Sequence, residues 1–188
     1  MTEILLFHHA QGQTPGFLAF AEQWRAAGHK VHTPDLYDGA TFGTVDEGVA
    51  HAESVGFDEI IRRGTATAAS LPGRIVYAGF SLGVLPAQSL TQTRPGALGA
   101  LLLHSGVPTA TFASPWPAGT PVQFHAMAGD EWAEVDVLQE LSREISSAEL
   151  FLYPGSGHLF ADPSSDDYDE AAAELLMHRT LRFLDRLN

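Results

Sequence analysis

Three residues far apart in the chain are of the types that cooperate in covalent catalysis. Ser81 is the centre of Gly79-Phe80-Ser81-Leu82-Gly83, Asp130 closes Ala128-Gly129-Asp130, and His158 closes Pro154-Gly155-Ser156-Gly157-His158. A serine hydroxyl is a weak nucleophile until a neighbouring base takes its proton. His158 is the candidate base, and Asp130 the candidate to fix its tautomer and stabilise the imidazolium. Taken singly, each segment has a plainer reading. Gly79 and Gly83 could cap a strand, Gly129-Asp130 could be a turn, and Gly157-His158 a loop with a surface histidine. The surrounding elements decide whether the three can meet.

Arg74 to Ala78 is a short β-branched and aromatic run that predicts a buried strand, and the apolar, glycine-free stretch Val84 to Gln92 predicts a helix. A serine on the sharp turn between them is held with its hydroxyl exposed, and glycines two residues to either side keep Cβ atoms away from the neighbouring strand and helix. Further strands are expected over Glu3 to His9, His29 to His32, Ala97 to His104, Val122 to Met127 and Leu150 to Tyr153. Helices are expected from Thr14-Pro15 to Gly28, from the capping box Thr44-x-x-Glu47 to Val55, from Phe57 to Ala69, from Val135 to Ser142, and from Asp166 to Leu187. Ser105 to Gly119, with three prolines, reads as a long surface loop over the strand tips. Strand alternating with helix predicts an α/β protein with three layers, built on a doubly wound, mostly parallel sheet of about six or more strands. Ligands of such sheets sit at the carboxyl ends of the strands. Ser81, Asp130 and His158 each follow a predicted strand, in the chain order serine, aspartate, histidine expected of an α/β-hydrolase. Two backbone N–H groups should form an oxyanion hole: that of Leu82, and one from the loop after the first strand, with Ala10 the candidate and Gln11 second.

At 188 residues the chain suits one domain, residues 1–188, with one sizeable core. Its formal net charge is −13, from 23 acidic against 10 basic residues, and no basic stripe is present. Nucleic acid and anionic membrane are therefore not expected partners. No apolar run approaches membrane-spanning length and the start lacks a basic leader, so a cytoplasmic location is the default expectation. Zero cysteines exclude disulfides, thiolate chemistry and cysteine-ligated metal. No metal and no cofactor is expected.

The chain resembles the dienelactone hydrolase family of the α/β-hydrolase fold over essentially its whole length. Besides the Ser81 turn, the matching segments are Pro34-Asp35-Leu36-Tyr37, Phe124 to Asp130, and Gly157-His158-Leu159-Phe160-Ala161. The resemblance implies hydrolysis of a small ester or lactone, without metal or cofactor, with Ser81 as nucleophile, Asp130 as acid and His158 as base. The chain departs from the best-known members at three positions. They use cysteine where this chain has Ser81, glutamate after the first strand where it has His9, and an arginine for the substrate carboxylate where it has Asp162. An uncharged substrate is therefore expected. A short-chain carboxylesterase or thioesterase, and a catalytically silent binding protein on the same fold, are the alternatives.

Other residues near the strand tips are candidates for the substrate pocket: His9, Gln11, Tyr37, His104 and Trp116. Adjacent strand residues face opposite ways, so His8 and His9 are not expected to share one pocket. Trp116 and Phe112 either roof the site or pin their loop, and Trp132 beside Asp130 has the same two readings.

Overall fold

The computed structural model describes residues 1–187. Strands β1 (Glu3–Phe7), β2 (Lys30–His32), β3 (Val76–Phe80), β4 (Gly99–Leu103), β5 (Val122–Met127) and β6 (Ala148–Tyr153) form one sheet in the order β2-β1-β3-β4-β5-β6. Every pairing is parallel. The helices are α1 (Pro15–Ala26), α2 (Val45–Val55), α3 (Phe57–Thr67), α4 (Val84–Thr93), α5 (Val135–Glu144) and α6 (Glu170–Arg186).

Strand residues alternate between two apolar layers, as the two-residue period of a pleated strand requires. Ile4 and Leu6 join Phe17, Phe20 and Trp24 of α1 and Leu176 and Phe183 of α6 on one face. Leu5 and Phe7 join Ile60 of α3, Val84 and Leu90 of α4, and Leu138 and Leu141 of α5 on the other. A sheet covered on both faces accounts for strands that read as continuous apolar runs.

The helix starts form as their sequences dictate. Thr14 Oγ1 accepts from Phe17 N–H with Pro15 in the first helical position. Thr44 and Glu47 make both bonds of a capping box. The strand limits differ from the expected ones at the carboxyl end of the sheet. β1 stops at Phe7 rather than His9, and β4 at Leu103 rather than His104. β3 begins at Val76 and continues to Phe80, so the turn follows immediately. α6 begins at Glu170 rather than Asp166, because Asp169 caps it by accepting from Ala172 N–H. A short 3₁₀ turn, Thr109–Thr111, interrupts the long loop after β4.

Because β2 lies beyond β1 on one side and β3 on the other, the chain direction across the sheet reverses between β1 and β3. The crevice outside their carboxyl ends is where a doubly wound sheet places its ligand. The loop carrying Ala10 and the turn carrying Ser81 both lie there.

Candidate active site

Ser81 has φ +49°, in the left-handed region that a side-chain-bearing residue occupies at a cost of about 1–2 kcal/mol. The cost is imposed by the turn from β3 through a 3₁₀ turn, Ser81–Gly83, into α4. Its glycines are spatial necessities. A Cβ on Gly79 would lie 2.2 Å from Gly83 O, and one on Gly83 would lie 2.4 Å from Phe7 O.

Ser81 Oγ stands 2.7 Å from His158 Nε2, and His158 Nδ1 stands 2.8 Å from Asp130 Oδ2. A carboxylate can only accept, so Nδ1 carries the ring hydrogen and Nε2 is left to accept from the serine hydroxyl. The other Asp130 oxygen accepts from Trp132 N–H at 2.9 Å, and His158 N–H donates to Asp167 Oδ2 at 2.9 Å. Both pair members are buried while Ser81 is partly open, the arrangement that a base facing a reachable hydroxyl needs. Thus three residues separated by up to 77 positions are brought into one hydrogen-bonded line.

A cavity of about 260 Å³ opens beside Ser81 and is lined by Ala10, Leu82, Val84 and Leu85 on the sheet side. Val49 of α2, Phe57 of α3, and Ser105, Val107, Trp132 and Glu134 complete it. Ala10, Ser81 and Leu82 share this wall, so the two residues expected to supply oxyanion-stabilising N–H groups border the same space as Ser81. Leu82 is in the first turn leading to α4, where N–H groups have no partner within the helix. Helix α2 buttresses the Ala10 loop so closely that a Cβ on Gly48 would meet Ala10 O at 2.1 Å. Apart from Glu134 the lining carries no charge, and Glu131 and Asp167 flank His158 in an adjoining cleft. No arginine or lysine lines either space.

None of the five residues expected at the pocket lines the cavity beside Ser81. His9 is fully buried and donates from Nε2 to Asp162 Oδ2 at 2.8 Å, while its Nδ1 accepts from Gln11 N–H at 3.2 Å. Gln11 turns its amide to Phe42 O. Tyr37 lies behind the Ala10 loop with its hydroxyl donating to Gly48 O at 3.3 Å and its ring against His8 and His51. His104, at φ +67°, is sealed between Phe80 and Phe160 with its ring centroid 6.1 Å from that of His158. Trp116 donates to Thr120 O and pins the proline-rich loop. His9 and His104 lie just past β1 and β4 with their rings fully buried, and Gln11 and Tyr37 are tied to Phe42 O and Gly48 O. The cavity walls come instead from Ala10, the Ser81 turn, Ser105 and Val107 after β4, α2, α3 and the loop after β5. Trp132, 46% exposed with its ring 6.2 Å from His158, is on the cavity wall.

Two of the three positions at which the chain departs from the family's best-known members, His9 and Asp162, meet each other. Asp162, 1% exposed, accepts from His9, from Thr14 Oγ1 at 2.5 Å, and from Ser164 N–H and Oγ at 2.7 Å each. Burial raises its pKa, but the hydrogen bonds from His9, Ser164 and Thr14 outweigh that and hold it at about 2. His8 does comparable work on the opposite side of β1. Its Nε2 accepts from Leu36 N–H at 2.9 Å and its Nδ1 donates to His9 O at 2.8 Å. Among the described residues no group of three or more His, Cys, Asp or Glu side chains is placed to hold a metal ion, and no helix is long and apolar enough to cross a membrane.

The sheet order, the strained serine and the crevice define an α/β-hydrolase architecture. The dienelactone hydrolase family profile matches residues 2–188, and the chain belongs to that family, hydrolases that act on ester bonds. Among solved structures it is similar to a Klebsiella pneumoniae protein provisionally named a dienelactone hydrolase, at 16% identity and TM-score 0.77, covering 99% of this chain and 87% of that one. A dienelactone hydrolase-like promiscuous phosphotriesterase from metagenomic libraries aligns at 13% identity and TM-score 0.74, covering 100% and 87%. Esterase 2 of Thermogutta terrifontis aligns at 18% identity and TM-score 0.67, covering 100% and 84%. Among curated proteins none matches the chain.

Proposed function

We propose that this protein is a serine hydrolase that cleaves small uncharged carboxylic esters or lactones through an acyl-enzyme. Ser81 Oγ gives its proton to His158 Nε2 as it attacks the ester carbonyl carbon. The resulting oxyanion is held by the N–H groups of Leu82 and Ala10. Collapse of this intermediate breaks the ester C–O bond, and the leaving alcoholate takes the proton from His158. Water, deprotonated by His158, then attacks the acyl carbon, and collapse of this second intermediate breaks the bond to Ser81 Oγ, which takes the proton back from His158 as the acid is released. Asp130 keeps the ring hydrogen on Nδ1 and stabilises the imidazolium during both halves.

The observation that carries this reading is the 2.7 Å contact of Ser81 Oγ with His158 Nε2 at a residue held at φ +49°. The substrate preference rests on the cavity lining. It is apolar except for two serines and one glutamate, so it offers no cation to a carboxylate-bearing substrate. Burying an unpaired carboxylate beside Glu134 would be costly, whereas a short acyl chain fits against Val49, Phe57 and Leu85. Ser81→Ala should reduce turnover of p-nitrophenyl acetate and butyrate by on the order of 10³-fold or more without lowering thermal stability. Turnover close to that of the unaltered protein would refute the assignment.

A further inference from the structure

A second cavity, of about 380 Å³, lies along the outer strand β6, between that strand and the outward side of α6. Its walls include Arg179, Arg182 and Arg186, three of the ten basic residues in a chain of net charge −13. Their spacing places them on one side of α6. Basic residues in the last turns of a helix also complement its dipole, so their presence alone decides nothing.

The floor beneath them is what needs explaining. On the face of β5 and β6 that α6 covers, the paired positions are Gln123 with Glu149, His125 with Phe151, and Met127 with Tyr153. Apolar residues would cover this face at less cost, yet a continuous polar chain runs through it. Glu149 Oε2 accepts from Arg186 Nη2 at 2.6 Å and from Gln123 Nε2 at 2.9 Å. Gln123 Oε1 accepts from His125 Nε2 at 3.1 Å, and His125 Nδ1 accepts from the Tyr153 hydroxyl at 2.8 Å. Gln123 is 2% exposed and His125 fully buried. Arg179 Cζ sits over the Phe151 ring, 4.3 Å from its centroid, and 5.1 Å from that of Tyr153.

The one acidic residue on the cavity wall is therefore engaged twice. Among the described residues, neither Arg179 nor Arg182 has a carboxylate within ion-pair distance. Stacking over an aromatic ring fixes the plane of a guanidinium, and although Arg179 also meets the Tyr153 hydroxyl, its remaining edge N–H groups can contact an oxyanion. Phe151 and Leu175 supply an apolar wall alongside.

We infer that this cavity is a binding site for a small organic dianion, a phosphate or a dicarboxylate, gripped by Arg179 and Arg182. It is remote from the carboxyl ends of β1 and β3 and independent of the ester chemistry. Calorimetric titration of the whole protein with inorganic phosphate and with succinate, at low ionic strength matched with chloride, tests it. Saturable binding of either anion, weakened at least tenfold by Arg182→Gln, is expected, and the tighter of the two identifies the headgroup. Arg179→Lys keeps the charge but loses the flat two-point grip, and should weaken binding several-fold. Circular dichroism and retained ester turnover would show that both variants are folded. No saturable binding of either anion, or binding left unchanged by Arg182→Gln, would overturn the site.

Discussion

Two histidine–aspartate pairs stand near the carboxyl end of the sheet, His158 with Asp130 and His9 with Asp162, both at 2.8 Å and both buried. They differ in what the second ring nitrogen meets. In His158 it meets the hydroxyl of Ser81, which opens on a cavity. In His9 it accepts the N–H of Gln11 and is thereby used up. The aspartates differ in the same sense. Asp130 holds its histidine and one backbone N–H, whereas Asp162 is closed by Thr14 and Ser164 and ties the loop after β1 to the start of α1. A buried His–Asp contact is thus no signature of a base by itself. It becomes one when the far nitrogen is left for a substrate-accessible hydroxyl.

The largest expected separation between the pairs is in turnover. His158→Gln should reduce kcat/KM for p-nitrophenyl butyrate by on the order of 10³-fold or more, since the proton acceptor is gone. His9→Gln should leave it within about fivefold, because His9 reaches neither the Ser81 hydroxyl nor the cavity beside it. Equal losses would erase the distinction.

The aspartates should separate along a second axis. Asp130→Asn should lower kcat by on the order of 10²–10⁴-fold with little effect on stability, through the wrong ring tautomer. Asp162→Asn should do the reverse. A neutral amide cannot accept all four donors that now converge there, and a loss of about 3 kcal/mol would lower the melting temperature by about 6–12 °C. An Asp162→Asn protein of unchanged melting temperature would contradict the closing role assigned to that residue.

How much of this was legible beforehand depended on how local the signal was. The serine turn, the capping box at Thr44 and the positions of Asp130 and His158 after their strands follow from short-range pattern, and the structure places them as that pattern requires. The His9–Asp162 pair spans 153 positions, and nothing local to either residue announces it. Asp162 reads as the loss of an arginine, and His9 as the loss of a glutamate and a candidate for the pocket. The cavity lining was missed for a similar reason. Val49, Phe57 and Glu134 belong to or adjoin helices, whose faces toward the crevice depend on how they pack, not on their own period. Gly48 was the available clue, a glycine inside a helix that permits contact with the Ala10 loop. The polar chain under α6 was likewise invisible, because His125 and Gln123 sit in a run that reads simply as a buried strand.

A further effect concerns acid. Burial pushes His8 down to about 4 and His125 to about 3, and burial followed by the nearby His158 pushes His104 well below its ordinary range. These groups stay neutral in the folded chain while the unfolded chain takes up their protons. Stability should therefore be full above about pH 7 and fall as the pH drops from about 6.5 toward 4, by up to about 1.4 kcal/mol per pH unit for each group. Asp162 has the opposite sign of group and a lower window. With its pKa held at about 2, its contribution persists until the pH falls below the ordinary aspartate value and is lost toward 2. Denaturant midpoints between pH 8 and 4 that show no decline would contradict the neutral burial of the three histidines.

If only the His158–Asp130 pair activates a nucleophile, a fluorophosphonate ester followed by intact-protein mass spectrometry will show it. One equivalent of adduct is expected, located on Ser81 by peptide mapping. The same adduct should form on His9→Gln at a similar rate, form far more slowly on His158→Gln, and be absent from Ser81→Ala. Undiminished labelling of folded Ser81→Ala, or no labelling of the unaltered protein, would contradict the account.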